Sequence, residues 1–505
     1  MRLSGLARGL GLEVLGDGDP EILDLSEDSR EVGPGWLFAA LSGARDDGRA
    51  FIPGARAAGA VALMAQGAAG DLPRHGLPAI LVPGGDIRRV LSRAARLVHG
   101  KPDEGLLTIG LTGTNGKTTI SYLLEDMLAG AGIPCGVIGT VDYRWGGRAL
   151  PAPNTTPEGP LLWRTLRRML DGGMRAVVME VSSHALELGR LGELGFDAAL
   201  FSNLSRDHLD FHPGLEEYYL AKRRLFLERL RPGARGAAAC SDDPFGRRLL
   251  GELAGPGSPR SLGYGLGPGA DVGARDLRLG RGGLEMTATL GRAPARVTSP
   301  LLGTFNAQNI LGALAVAELI GVDFAGPAGE ALCRSRGAPG RLERVGSNGD
   351  FLVLVDYAHT PGALAAALGS LRDLAPGRLV CLFGCGGDRD RGKRPLMARE
   401  AGRLADLVVL TSDNPRQEDP MAIIGDAEAG LGGLRARGDG RGPGTYLVEP
   451  DRGRAIRAAC ALMDEGDILL IAGKGHEDYQ IVGTEKRHFD DREEALAALR
   501  GLGRA

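Results

Sequence analysis

The run Gly110-Leu-Thr-Gly-Thr-Asn-Gly-Lys-Thr-Thr119 stands between an apolar stretch and an amphipathic one, a combination suited to holding phosphate. Backbone N–H groups of the turn Gly113-Thr114-Asn115-Gly116 can cradle the anion at a helix N-terminus. Lys117 adds neutralising charge, and the Thr118 hydroxyl, next to Thr119, can ligate Mg2+. The spacing departs from the standard Walker loop: Leu111 stands where the first glycine belongs, and the glycines fall at 110, 113 and 116. A mere glycine turn is the alternative, and Gly-Lys-Thr-Thr directly after a strand disfavours it.

Three further segments carry groups that could join it. The apolar run Ala176 to Met179 ends in Glu180, followed by Val181, Ser182, Ser183 and His184, so a carboxylate leaves a strand where it can hold a cation beside a phosphate loop. A solvated strand end is the plainer alternative. A second run, Ala199 to Ser202, opens into Asn203-Leu-Ser-Arg-Asp-His-Leu-Asp-Phe-His212; His208 in it could ligate metal as a neutral imidazole or be a hydrogen-bonded structural residue. In Glu216 to Phe226, helical spacing puts Lys222 on one face with Tyr218, Tyr219, Leu225 and Phe226, which would desolvate its amine and lower its pKa. A surface lysine is the alternative, although the neighbouring Arg223 and Arg224 indicate that this helix otherwise takes arginine.

That contrast runs through the chain. Among 60 basic residues only Lys101, Lys117, Lys222, Lys393, Lys474 and Lys486 are lysines, so a surviving lysine hints that a compact ammonium, or an amine able to lose its proton, is needed. Near the C-terminus, Asp413-Asn-Pro-Arg416 comes after an apolar run, and its arginine can grip a carboxylate with two N–H groups.

Elements must position these groups. The last segment alternates apolar runs with polar loops: Phe351 to Val355 runs into Asp356, Leu379 to Phe383 into Gly384, Leu407 to Leu410 into Asp413, and Ile468 to Ile471 into Gly473. This is the pattern of a doubly wound α/β sheet, whose ligands sit at the carboxyl ends of parallel strands. Linkers at Gly100 to Asp103 and Arg336 to Gly340 divide the 505 residues into three expected domains, 1–100, 101–336 and 337–505. A net charge of −3 offers no basic field for nucleic acid or anionic membrane. No stretch approaches the roughly 18 apolar residues of a membrane span, so a cytoplasmic protein is expected. Six scattered cysteines, without a C-x-x-C pair, read as reduced core thiols.

Taken together these residues resemble the Mur ligase family. Thr112 to Thr119, Glu180 to Leu186, Asn203 to His212, Ala221-Lys222-x-x-Leu225-Phe226, Phe305-Asn306-x-x-Asn309, Gly340-Arg341-x-Glu343, Asp356-Tyr-Ala-His359-Thr-Pro361 and Gly473-Lys-Gly-His-Glu477 occur in family order. The resemblance implies a small N-terminal α/β domain, a central P-loop-type ATPase domain and a C-terminal Rossmann-like domain. It further implies an ATP- and Mg2+-dependent ligase of peptidoglycan precursor synthesis, and hence of cell division and shape, acting as a monomer on small molecules. Within the family the likeness is greatest to members that extend a UDP-N-acetylmuramoyl dipeptide by its third residue.

By that resemblance Ser29 would bind the UDP end of the acceptor, and Asn154, Thr155, Thr156, Ser182 and Arg190 its sugar and peptide; Leu188 departs from relatives with a polar contact there. Thr118, Glu180 and His208 would place Mg2+, and Lys222 would be carbamylated. Asn309 and Arg341 would approach adenine and phosphates, Asp356 the ribose, and His359 the γ-phosphate. Asp413, Asn414, Pro415 and Arg416 match the family's diaminopimelate signature, with Arg389, Gly473 and Glu477 as partners. A sister ligase for another amino acid or for folate, a regulatory nucleotide-binding protein and a simple ATPase are the alternatives. The Asn-Pro-Arg loop and the long N-terminal segment oppose folate, and the complete set Thr118, Glu180, His208 and Lys222 opposes a non-catalytic role.

Overall fold

Strands form where the sequence is apolar on both faces, as parallel strands covered by helices must be. The computed structural model describes all residues except 42–46, 68–71, 85, 209–210, 291–292, 347–350, 437–443 and 505, so Asp210 lies outside the described residues. Two compact units make up the chain: Met1–Ala270 with Gly312–Ala328, and Asp271–Leu311 with Gly329–Ala505.

The first unit holds two sheets. The N-terminal sheet runs in the order Val14–Leu15, Ala79–Val82, Ala60–Gln66, Trp36–Ala40, Asp24–Ser26. The larger sheet has Leu107–Thr112 at its middle, paired in parallel with Ala176–Glu180 on one side and Ala198–Phe201 on the other. Gly236–Cys240 and Ser261–Tyr264 extend one edge, and Cys135–Ile138 the other. This order brings the ends of three central strands, and thus the phosphate loop, Glu180 and the polar run after Phe201, to one edge.

The second unit contains an antiparallel meander, Val272–Gly280, Gly283–Leu290 and Ala293–Ser299. Its main sheet pairs Leu352–Asp356, Ile468–Ala472, Leu379–Cys385, Leu407–Ser412 and Thr445–Val448 in parallel, in that order. Separate apolar clusters cover its two faces, one around Leu354, Phe383 and Leu410, the other around Val355, Leu382 and Ile471. The four expected strands are present, each displaced or extended by one or two residues. Five of the six cysteines are buried; Cys333 is only half-buried, which corrects the reading of all six as core thiols. Among the described residues no helix is long and apolar enough to cross a membrane.

Candidate active site

The phosphate loop leaves the strand Leu107–Thr112 and enters the helix Lys117–Gly130. Gly113 has φ 136°, and a Cβ there would lie 2.0 Å from Ser202 Oγ, so only glycine lets the loop lie against the strand end of Ala198–Phe201. The loop is tied down from the far side: Thr114 N donates to the Asn203 carbonyl (2.8 Å) and Asn115 N to Asn203 Oδ1 (3.0 Å). Lys117 Nζ turns back to the carbonyls of Gly113 (2.9 Å) and Thr114 (3.0 Å). Thr118 and Glu180 are brought together, Oγ1 to Oε2 being 3.1 Å. Glu180 also accepts from Thr140 Oγ1 (2.9 Å) and Thr140 N (3.0 Å) and is buried. All three donors are neutral, and the Glu180 side chain stands in the interior beside a threonine hydroxyl. A hard-oxygen pair of this kind fits a divalent cation such as Mg2+.

Lys222 lies on the helix Leu215–Leu227 and is 2% exposed. Its Nζ donates to the Gly113 carbonyl at 2.8 Å and lies 4.5 Å from the centre of the Tyr218 ring. Burial, and then the charge of Lys117, hold its pKa well below the usual lysine value. His208 has a left-handed backbone (φ 52°) and faces His184, with ring centres 5.0 Å apart, and Asp207, 3.7 Å away. Among the described residues no three His, Cys, Asp or Glu side chains form a metal-binding group, so any cation here would depend on the hydroxyl and on added ligands.

Next to Glu180, a chain of small polar groups extends toward the residues matched to the acceptor. Thr155 Oγ1 is 3.1 Å from Thr140 Oγ1, and Thr156 Oγ1 bridges the Glu180 carbonyl (2.8 Å) and Ser182 N (3.0 Å). Ser182 caps the short helix Ser183–Glu187. Arg190 donates to the Thr156 carbonyl (3.3 Å) and pairs with Glu158 (2.8 Å). The Asn154 carbonyl accepts from the Tyr143 hydroxyl at 2.5 Å. Ser29 sits half-buried in a turn, and Leu188 ends the helix that Ser182 caps. Glu27, two residues before Ser29, is pushed up to about 7 by burial and by Glu158, against the pull of Arg88 and Arg190.

In the second unit, Asp413 to Arg416 form the loop after Leu407–Ser412. Asn414 Nδ2 donates to Glu477 Oε2 at 3.0 Å. Arg416 takes φ 52°, is anchored by N to the Ile481 carbonyl (3.1 Å), and donates Nη1 to the Gly387 carbonyl (2.8 Å). Arg389, on the neighbouring loop, is exposed. Gly473, at φ 117°, turns the chain toward Glu477. Burial and then the Asp413 carboxylate push Glu477 above the usual carboxylate value, against Asn414, Lys474 and Arg416. Burial also opposes ionisation of Asp413, but Lys474 and Arg452 outweigh it and hold that carboxyl low.

The residues matched to the nucleotide lie in the same unit. Asp356 is buried, accepting from Leu342 N (2.7 Å) and Ala358 N (2.8 Å); burial raises its pKa, against Arg341. The Arg341 guanidinium stands 4.7 Å from the Tyr357 ring centre, and His359 Nδ1 is 2.8 Å from the Tyr357 carbonyl. Asn309, buried on the helix Thr304–Ile320, donates to Asn306 Oδ1 at 2.9 Å.

Sequence reasoning missed the buried cations Arg452 and Arg394 and left Lys474 without a role. Arg452 pairs with Asp491 through two bonds of 2.7 and 2.6 Å and donates to the carbonyls of Ser412 (3.3 Å) and Ala472 (3.0 Å), the last residues of two strands. Arg394 joins Glu418 (2.8 Å) and Asp426 (2.8 Å), and Glu418 also accepts from Asp388 N (2.6 Å). Lys474 is fully buried. The one signal in the sequence was the scarcity of lysine, which pointed at Lys474 without a partner.

A glycine-rich loop of phosphate-binding type in one unit and a cluster of charged loops at the carboxyl edge of a parallel sheet in the other are the marks of a multidomain α/β nucleotide-binding protein. Three family models match: Mur ligase family, catalytic domain, over residues 22–98; Mur ligase middle domain over 111–317; and Mur ligase, glutamate ligase domain, over 340–475. The UDP-N-acetylmuramoyl-L-alanyl-D-glutamate--2,6-diaminopimelate ligase of Geobacter sulfurreducens is 46% identical, covering 99% of this chain and 99% of its own. The relative of that name from Geobacillus thermodenitrificans is 42% identical over 98% of each chain. A solved structure of a ligase of that name is 35% identical, covers 96% of each chain and superposes with a TM-score of 0.68. The chain belongs to the Mur ligase family, and its three domains are those of that family.

Proposed function

We propose that this protein is an ATP-dependent ligase that adds meso-2,6-diaminopimelate to the D-glutamate of UDP-N-acetylmuramoyl-L-alanyl-D-glutamate in peptidoglycan precursor synthesis. The observation that carries the reading is the Asp413–Arg416 loop, where a guanidinium, an amide and the Glu477 carboxylate stand together. Diaminopimelate presents a second carboxylate for Arg416 and a distal ammonium for Glu477, whereas lysine lacks that carboxylate. End-to-end identity to relatives bearing this name supports the same reading.

A carboxylate is a poor acyl donor. The D-glutamate side-chain oxygen takes the γ-phosphoryl group of ATP, ADP leaves, and an acyl phosphate results. The neutral amine of the amino acid then attacks the acyl carbon, loses its proton, and phosphate departs. Lys117 and the amides of Gly113 to Gly116 hold the phosphates and offset the charge that develops. Thr118 and Glu180, joined by His208 and carbamylated Lys222, would hold Mg2+, which when bound draws charge from the phosphate oxygens. Thr119 sits beside this group. Ser29, Asn154, Thr155, Thr156, Ser182 and Arg190 bind the acceptor, and Asn309, Arg341, Asp356 and His359 the nucleotide. Arg389 and Gly473 complete the amino-acid site. Residues 1–100, 101–336 and 337–505 thus serve acceptor, ATP and amino acid, in a cytoplasmic monomer.

The carbamate forms when the Lys222 nitrogen bonds to CO2 and releases its proton, for which a buried amine of lowered pKa is suited. Purified protein given acceptor, ATP, Mg2+ and either meso-diaminopimelate or L-lysine should yield the diaminopimelate adduct by mass. A lysine adduct would overturn the reading of the Asn-Pro-Arg loop, and no adduct with either would overturn the assigned acceptor. Lys222→Ala should be inactive, with no recovery in high bicarbonate.

A further inference from the structure

Lys474 is 0% exposed, in a chain that otherwise places arginine almost wherever a cation is needed. A lysine ammonium has three N–H donors; two of them make hydrogen bonds here, and the charge also pairs with a carboxylate. Nζ donates to Asn414 Oδ1 at 3.0 Å and to the Tyr479 carbonyl at 2.8 Å, and stands 3.2 Å from Asp413 Oδ1. A planar guanidinium presents its donors in a fixed fork and is no substitute for a compact ammonium meeting these partners.

The bond to Asn414 fixes which way that amide faces. Its Oδ1 is approached by Lys474 Nζ and by Ile481 N (3.0 Å), and both of these can only donate. The oxygen must therefore face them, and the NH2 group must face Glu477, to which it donates at 3.0 Å. Rotating the amide would set donor against donor on one side and carbonyl oxygen against carboxylate on the other.

We propose that Lys474 is a positioning residue for the incoming amino acid: by orienting the Asn414 amide it aims the Glu477 carboxylate at the substrate's distal ammonium. This rests on the diaminopimelate reading above and adds to it a residue that touches no substrate. The charged groups around Glu477 include Asp413, which opposes its ionisation, Lys474 and Arg416, which favour it, and Arg452, whose own charge Glu477 stabilises; Tyr357 and Tyr479 stand close enough for the Glu477 charge to raise their pKa values. Removing the Lys474 charge therefore leaves Glu477 harder to ionise. It also releases the amide that holds it.

The test compares wild type, Lys474→Met and Lys474→Gln, with KM measured separately for diaminopimelate, ATP and acceptor, and kcat/KM for the amino acid followed against pH. Loss of a charge-assisted hydrogen bond in the interior predicts a rise of about 10- to 100-fold in KM for diaminopimelate. The other two KM values should stay within about 2-fold, since interactions away from the altered site are largely independent. The acid limb of the profile should move to higher pH, because the ionised Glu477 is lost sooner as pH falls; a fault of folding alone would lower the amplitude and leave the limb in place. Lys474→Gln keeps one donor for Asn414 Oδ1 and should recover part of the KM while the limb stays shifted. If Lys474→Met does not fold, Lys474→Gln, which keeps a donor for Asn414 Oδ1, carries the comparison of KM values and of the acid limb by itself. Equal changes in all three KM values, or an unmoved acid limb, would overturn the proposal. Wild-type preference for a different amino acid would overturn the substrate reading instead, and the KM comparison would then be made with that substrate.

Discussion

Arg416 has three attachments. Its backbone is pinned in the left-handed region by Ile481 and Gly483, and Nη1 is committed to the Gly387 carbonyl. The remaining guanidinium nitrogens are left to meet a carboxylate, a division of labour that a single ammonium cannot copy. Arg416→Lys should therefore raise KM for diaminopimelate by about 10- to 100-fold, with KM for ATP unchanged in the same assay. Glu27 gives a pH-dependent counterpart. Its folded pKa of about 7 lies above the ordinary glutamate value of 4.5, so the folded state holds a proton that the unfolded chain releases first. Stability falls as pH rises through that window, and above it the full cost of a buried charge beside Glu158 is present. Glu27→Gln should raise the melting temperature at pH 8 and leave it nearly unchanged at pH 4, as thermal scans at the two pH values would read.

At the scale of elements, the Arg452–Asp491 pair connects the helices Arg452–Ala461 and Asp491–Gly501 to the last carbonyls of Leu407–Ser412 and Ile468–Ala472. These strands deliver Asp413 and Gly473. Asp491→Ala leaves the Arg452 guanidinium charged and unpaired in the interior and should lower stability by about 3–5 kcal/mol in urea titrations. Diaminopimelate binding should be lost earlier than the far-ultraviolet signal. The strands and the phosphate loop were legible from sequence because both are local: an apolar run predicts a covered strand, and the glycines with Lys117 predict an anion-holding turn at its end. The polar clamps were not, because Arg452 meets Asp491, Arg394 meets Glu418, and Lys474 meets Asn414 across separations of 39, 24 and 60 residues. No spacing rule reaches that far. The antiparallel meander also went unread, since its strands mix Gly, Pro, Thr and Arg with few large apolar residues and resemble surface loops.

For the whole molecule, the chemistry divides between the units: the phosphate loop, Glu180 and Lys222 belong to one, the Asp413–Arg416 loop and Glu477 to the other. Phosphoryl transfer needs no group of the amino-acid site in the reaction as written. Enzyme given ATP, Mg2+ and acceptor without amino acid should therefore accumulate the acyl phosphate, which hydroxylamine would trap as a hydroxamate detectable by mass. Absence of the hydroxamate would mean that transfer waits for the amine.

The Gly113 carbonyl serves two amines at once, Lys117 at 2.9 Å and Lys222 at 2.8 Å. Because the Lys117 charge, after burial, lowers the Lys222 pKa, phosphates that neutralise Lys117 let Lys222 hold its proton more firmly. The proposed uptake of CO2 would require the bare amine, so time would enter the mechanism: the enzyme without nucleotide would take on the carbamate first, and nucleotide arriving beforehand would delay it. Enzyme preloaded with ADP in CO2-free buffer should show a lag on addition of bicarbonate that enzyme without nucleotide does not, which makes the supply of dissolved CO2 between turnovers part of how quickly the wall precursor can be made.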